Sequence, residues 1–167
     1  MCTSGRPFSL VDVRVTHPTA GREVFAAAPG DEASAEVGEV WIRGPTVFGG
    51  YWRRPDADEE CFDEDGWFNT GDLATVRTDG YVVLVDRKKD MILVGGENVY
   101  CSEVEAALHA HPAVAQAAAF GVSHPVMGEI VQAAVTLRAD AAVDEAHEKT
   151  IVGHCRRSLS EYKVPAG

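Results

Sequence analysis

The chain has 167 residues, 46% of them hydrophobic, and a formal net charge of −11. That length holds one ordinary domain or two small ones, and the apolar share belongs to a folded chain rather than a disordered one. The acidic balance excludes a binder of nucleic acid or anionic membrane that works through clustered Lys and Arg; no apolar run is long enough to span a bilayer, and Met1 to Pro7 holds no apolar signal core, so the expected compartment is the cytosol.

Val11, Val13 and Val15 alternate with Asp12 and Arg14, which predicts a half-buried strand over 10–16. Residues 17–36 are rich in Pro, Gly, Ala and acid and read as a loop. A second strand runs from Val37 to a glycine at Gly44, and Thr46 to Trp52 is a short apolar stretch interrupted by glycines. Pro55 opens a short helix to Phe62, with Asp56, Asp58 and Glu59 where the helix dipole favours acids. The acids that continue to Asp65 lack the alternating oxygen-ligand spacing of a calcium loop and read as a solvated face.

Two apolar stretches then follow, joined at Asp79-Gly80, a dipeptide that favours a tight hairpin. With Asp79-Gly80 as a two-residue loop, Thr78 pairs with Tyr81, Val76 with Val83, and Asp72 falls opposite Arg87. Directly opposed residues point to the same face of a sheet. A carboxylate beside a guanidinium has two readings. One is a plain cross-strand ion pair, which is the commoner case. The other is a clamp for a diol, in which the carboxylate accepts two hydroxyl protons and the arginine fork donates to the same oxygens.

Lys88-Lys89-Asp90 sets three charges between apolar strands, either as an ordinary polar turn or as a joint that bends with few contacts to lose. Met91 to Val94 is a short strand and Gly95-Gly96-Glu97-Asn98 a loop. Ser102 and Glu105 have the spacing of a capping box, opening a helix that runs to His109, buries Val104, Ala107 and Leu108, and is stopped by His111-Pro112. Residues 113–122 and 130–138 read as two buried strands joined through Ser123-His124-Pro125. A helix over about 143–161 places Ile151, Cys155, Leu159 and Tyr162 on one stripe. Strand, helix, strand, strand, helix is an α+β unit. Cys2, Cys61, Cys101 and Cys155 form no CxxC and read as free thiols, Cys101 as a packing residue just before a helix start. His109 and His111 have no second ligand pair at zinc spacing and read as a helix end.

The string Gly66-Trp67-Phe68-Asn69-Thr70-Gly71-Asp72-Leu73, the run Asp86 to Asp90, Gly95-Gly96-Glu97-Asn98-Val99-Tyr100 and Ser102-Glu103-Val104-Glu105 together resemble the AMP-forming acyl-CoA synthetases of the adenylate-forming superfamily. Gly38 to Pro45, Gly49-Gly50-Tyr51-Trp52 and Leu159 to Pro165 extend the resemblance over nearly the whole chain. It implies an α+β fold in two parts: residues 1–87 as the β-rich, partly barrel-like end of a large AMP-binding domain, and residues 88–167 as a small mobile C-terminal domain. It implies that Asp72 and Arg87 bind the ribose of ATP or of an acyl-adenylate, that Leu84 lies against the nucleotide, and that Lys89 is the hinge between two half-reactions. In the first, a carboxylate attacks the α-phosphate of ATP; in the second, a thiol displaces AMP. Gly95, Gly96 and Glu97 then line the channel for the pantetheine arm, since a loop without side chains lets a thin substrate pass close to backbone.

The implied substrates are ATP with magnesium, coenzyme A and a fatty or aryl acid, with no metal held by the chain itself. The GGEN form is closer to an acyl-CoA ligase than to a peptide-synthetase domain. Cys101 stands where the family often has proline. The family's glycine- and Ser/Thr-rich phosphate loop and its terminal catalytic lysine are not among these residues, and Lys163 belongs to the preceding signature. The expectation is therefore a ligase fragment with no catalytic residue of its own and no adenylation activity alone. The alternatives are a partner-binding domain that docks a carrier protein, one half of a split ligase, and an inactive truncated product.

Overall fold

The computed structural model describes residues 3–18, 20–27, 35–139 and 145–166. It divides at the charged run into two compact units, Met1–Lys89 and Asp90–Gly167, each with its own sheet and core.

In the first unit, strands β1 (Asp12–Thr16), β2 (Gly38–Arg43), β3 (Phe68–Val76) and β4 (Val82–Arg87) form an antiparallel sheet in sequence order. The alternation that predicted β1 is what places Val13 opposite Ile42 and Val15 opposite Val40. Val15, Val40, Ala74 and Val82 make the core, with Val13, Val24, Ile42 and Val76 packed around it. The sheet is open, and no closed barrel forms among the described residues. Part of the loop expected over 17–36, residues 19 and 28–34, lies outside the described residues. Helix α1 (Pro55–Cys61) has Pro at its start and Asp56 and Asp58 in its first turn. Phe48 makes edge-on contacts with Tyr51, Phe62 and Phe68 beside it. Asp63 is not part of a free acidic face. It receives the amides of Asp65 and Trp67 and pairs with Arg14, whose guanidinium lies over the rings of Trp41 and Trp67. Burial works against the Asp63 charge, but the Trp67 amide and Arg14 hold its carboxyl below the usual range.

In the second unit, β5 (Ile92–Val94), β6 (Glu97–Val99), β7 (Val114–His124) and β8 (Gly128–Leu137) form a sheet of order β6-β5-β8-β7. Helices α2 (Cys101–His109) and α3 (Glu145–Ser158) bury Val104, Leu108, Ile151 and Cys155 against Ile92, Val99, Val114 and Val131. Four expectations change here. Residues 95–98 are not one loop: Gly95-Gly96 is a two-residue turn and Glu97 starts a strand. The capping box does not form. The helix begins at Cys101 after Tyr100 with no side-chain cap, and the Glu105 carboxylate accepts instead from the Ala119 amide on β7. β7 and β8 are not buried on both faces, with Val114 and Val131 their fully buried residues; alanine runs do not reveal which face is covered. The last helix ends at Ser158, so Leu159 packs on the core from beyond it and Tyr162 lies 37% exposed in a 3-10 turn, Glu161–Lys163. Positions 143 and 144 of the expected helix lie outside the described residues.

Cys61, Cys101 and Cys155 are free thiols. Burial pushes the Cys155 thiol up, and the thiolate is the reactive form. In the folded chain Cys61 is expected to react with an alkylating reagent well before Cys155, and Cys155 only as the second unit opens. Mass mapping of labelled peptides checks the order.

Candidate functional site

In the first unit, three hydrogen bonds set the approach to Asp72, two of them local and one to the neighbouring strand. Asn69 accepts the Gly71 amide at 2.9 Å, Thr70 Oγ1 donates to the Val40 carbonyl at 3.0 Å, and the same hydroxyl accepts the Asp72 amide at 3.1 Å. Gly71 sits at φ +73°, a conformation that suits glycine. Asp72 lies opposite Arg87, with Oδ1 3.0 Å from Nε. The side chains are 27% and 58% exposed, so the pair is open to a ligand, and neither has a second ion-pair partner among the described residues.

The route to this pairing differs from the two-residue hairpin. Arg77 and Tyr81 close a loop of Thr78, Asp79 and Gly80, with the Gly80 amide bonded to the Arg77 carbonyl and Gly80 at φ +83°. Val76 therefore pairs with Val82, not Val83. A bulge then adds one residue to β4: Ala74 faces Leu84 and Leu73 faces Asp86, so that Val85 is the extra residue of the register. The two shifts cancel at Asp72. In an unbulged continuation Asp72 would face Asp86, two like charges. The bulge also brings Leu84 and Arg87 to one face, because their partners Ala74 and Asp72 are two residues apart on β3. Leu84 is 45% exposed there. Gly71, Arg87, Lys88 and Lys89 line an open depression of about 490 Å³.

Glu39, which the sequence analysis did not single out, is only 5% exposed. Its carboxylate accepts from Asn69 Nδ2 at 2.8 Å and pairs with Lys88 Nζ at 2.5 Å. Periodicity cannot reveal a buried acid of this kind, because it has the same pattern as a solvated one.

In the second unit, Gly95 and Gly96 have φ +60° and +93° and connect β5 to β6, as a tight hairpin of this handedness requires. The Gly95 amide donates to the Met127 carbonyl at 2.8 Å. The Val126 and Met127 amides donate to His124 Nδ1 at 3.3 and 3.2 Å. Glu97 is exposed opposite Val94. Glu129, another residue that the pattern did not single out, accepts the Leu93 amide at 2.8 Å and so ties β5 to β8 beside their single pairing at Val94 and Gly128. A methyl on Gly95 would meet the Met127 terminal methyl carbon at 2.7 Å. Gly95→Ala is therefore expected to cost roughly 1–3 kcal/mol. Adding Met127→Ala should recover the steric part and leave the backbone part, which urea unfolding of both variants would separate.

Residues 103–167 match the model of the AMP-binding enzyme C-terminal domain. A long-chain-fatty-acid–CoA ligase of Yersinia pestis is 43% identical over 96% of this chain and 26% of its own length. A feruloyl-CoA synthase of an Amycolatopsis species is 43% identical over 98% of this chain and 30% of its own. The chain thus spans between a quarter and a third of the length of these relatives. Among solved structures, ATP-bound MatB from Rhodopseudomonas palustris superposes with a TM-score of 0.84 at 35% identity, over 98% of this chain and 30% of that one. The o-succinylbenzoate CoA synthetase of Bacillus subtilis, in complex with its acyl-adenylate intermediate, gives a TM-score of 0.81 at 30% identity, over 98% and 31%. No described helix is long and apolar enough to cross a membrane. Residues 103–167 thus match the C-terminal domain of the AMP-binding enzymes, and the chain as a whole is similar to part of CoA ligases and other adenylate-forming enzymes.

Proposed function

We propose that this chain is the nucleotide-clamping and mobile part of a cytosolic ligase that joins a fatty or aryl acid to coenzyme A through an acyl-adenylate. The observation that carries this reading is Asp72 opposite Arg87, open to solvent and on one face with the exposed apolar Leu84. A ribose has two adjacent hydroxyls; Asp72 accepts their protons, Arg87 donates to their oxygens, and Leu84 offers apolar surface to the base. ATP supplies the electrophilic α-phosphate, and magnesium enters with its phosphates. The acid's carboxylate oxygen bonds to that phosphorus and pyrophosphate leaves; the thiol of coenzyme A then bonds to the acyl carbon and AMP leaves.

Holding the ribose fixes where the reacting phosphate sits, which is this chain's share of the positioning. Lys89 is the residue about which the second unit turns between the two steps. Gly95, Gly96 and Glu97 form the backbone-lined wall for the pantetheine arm. Residues 1–167 by themselves bind nucleotide and do not adenylate.

The test is a titration of the purified chain with AMP and with 2′,3′-dideoxy-AMP, followed by amide NMR. Shifts at Asp72, Leu84 and Arg87 with AMP, weaker with the analogue, are expected, together with no ATP–pyrophosphate exchange. Equal binding of the two nucleotides would sink the clamp. Exchange by the chain alone would sink the division of labour. A second reading, one half of a split ligase or a partner-docking domain, is favoured by exposed apolar side chains on the first unit, with Phe8, Phe25 and Trp52 at 66%, 70% and 84%. Activity restored on mixing with an upstream ligase part supports the split enzyme, and binding without activity supports the docking domain.

A further inference from the structure

The charged run Lys88-Lys89-Asp90 forms a single 3-10 turn, and its three residues are held very differently. Lys88 is tied into the first unit by Glu39, whose side chain is 6% exposed against 53% for Lys88. A carboxylate that deep needs its cation: without Lys88 it keeps only the Asn69 amide, and an uncompensated charge stays buried. On the other side, the buried Cys101 thiol donates to the Asp90 carbonyl, which ties Asp90 to the start of α2 in the second unit. Lys89 lies between them, exposed, and its side chain has no hydrogen bond or ion pair among the described residues.

We propose that Glu39 and Cys101 are positioning residues that bracket the joint and confine its turning to one residue, Lys89. This rests on the reading of Lys89 as the hinge of a two-step ligase. It adds that the hinge is kept short by two tethers, one internal to each unit, and it gives the thiol at 101 a task at a position where the resemblance led us to expect proline. Bracketing matters mechanically. Rotation spread over three residues would let the second unit wander, whereas rotation at one residue moves it between few orientations. The Glu39 tether is the stronger of the two, being ionic and buried at one end, and the thiol is a weak donor.

The test is backbone ¹⁵N relaxation on the 167-residue chain without nucleotide, so its outcome does not depend on whether the Asp72–Arg87 pair binds ribose. In the unaltered chain Lys88 and Asp90 are expected to be as ordered as their units, with order parameters near about 0.85, and Lys89 alone to fall toward about 0.6 or below. Glu39→Gln keeps an acceptor for Asn69 and removes the charge; it should lower the order parameter of Lys88 and leave Asp90 unchanged. Lys88→Met should loosen position 88 in the same way from the other partner, which guards against a folding defect specific to the Glu39 variant. Cys101→Ala should loosen Asp90 alone, and Cys101→Ser, which retains a donor, should restore it. The proposal is overturned if Lys89 is as ordered as its neighbours in the unaltered chain. It is equally overturned if position 88 keeps its order in both Glu39→Gln and Lys88→Met while the remaining amide spectrum stays folded.

Discussion

Replacing Asp72 by asparagine is expected to weaken AMP binding by this chain about 10- to 100-fold, because a hydrogen bond to a charged group is worth about 1.5–3 kcal/mol and a factor of ten about 1.4 kcal/mol. The amide keeps one acceptor oxygen but no charge, and it faces Arg87, whose Nε now lies 3.0 Å from a carboxylate oxygen. The preference for AMP over its 2′,3′-dideoxy analogue should vanish in the same variant, since Asp72 is the group that accepts the hydroxyl protons. Thermal stability should hardly move: the Arg87 side chain is 58% exposed, and exposed ion pairs contribute about 0–1 kcal/mol. Calorimetric titration and a melting curve on one sample separate the two readings left open by the sequence. Unchanged affinity with a small loss of stability would leave a plain cross-strand ion pair.

The second large effect is on folding. Leu108→Ala is expected to destabilise the second unit by about 2–5 kcal/mol, the range for removing a buried leucine side chain. Leu108 is 1% exposed and sits in the cluster of Ile92, Val104, Val114 and Val131. At about 4–8 °C per kcal/mol for a domain of this size, the melting point of that unit should fall by at least about 8 °C. The loss should be local. Amide exchange should accelerate in α2, β7 and β8 and stay slow in β2 and β3, because the two units have separate cores and need not unfold together. Leu93→Ala, at a side chain 47% exposed, is the control and should stay within about 0.5 kcal/mol. A uniform acceleration over both units would show one cooperative body instead.

Much of this was legible in the sequence, and the failures have physical causes. Alternating valines gave β1, and Pro55 with its following acids gave α1, because those signals act over a few neighbouring residues. The capping box failed because Glu105 had a better use: a sheet amide at Ala119, fourteen positions away, took its carboxylate. Glu39 and Glu129 were invisible for the same reason, since both answer to partners brought close only by folding, Lys88 and Asn69 in one case and the Leu93 amide in the other. The Asp72–Arg87 pairing was legible, though through a register that was wrong by one residue at the turn and was put right by the bulge.

That bulge has a consequence for how this hairpin changes through descent. Val85 is the extra residue of β4 in the register. A lineage that lost it would have a regular ladder in which the aspartate and the arginine still face each other, with the leucine on the same side. Counting positions from the Asp-Gly turn would then misalign such a relative by one residue, and an apparent absence of the arginine would be an artefact of the count. The Asp72–Arg87 pairing depends on the distance across the ladder, and one residue fewer along β4 would preserve it.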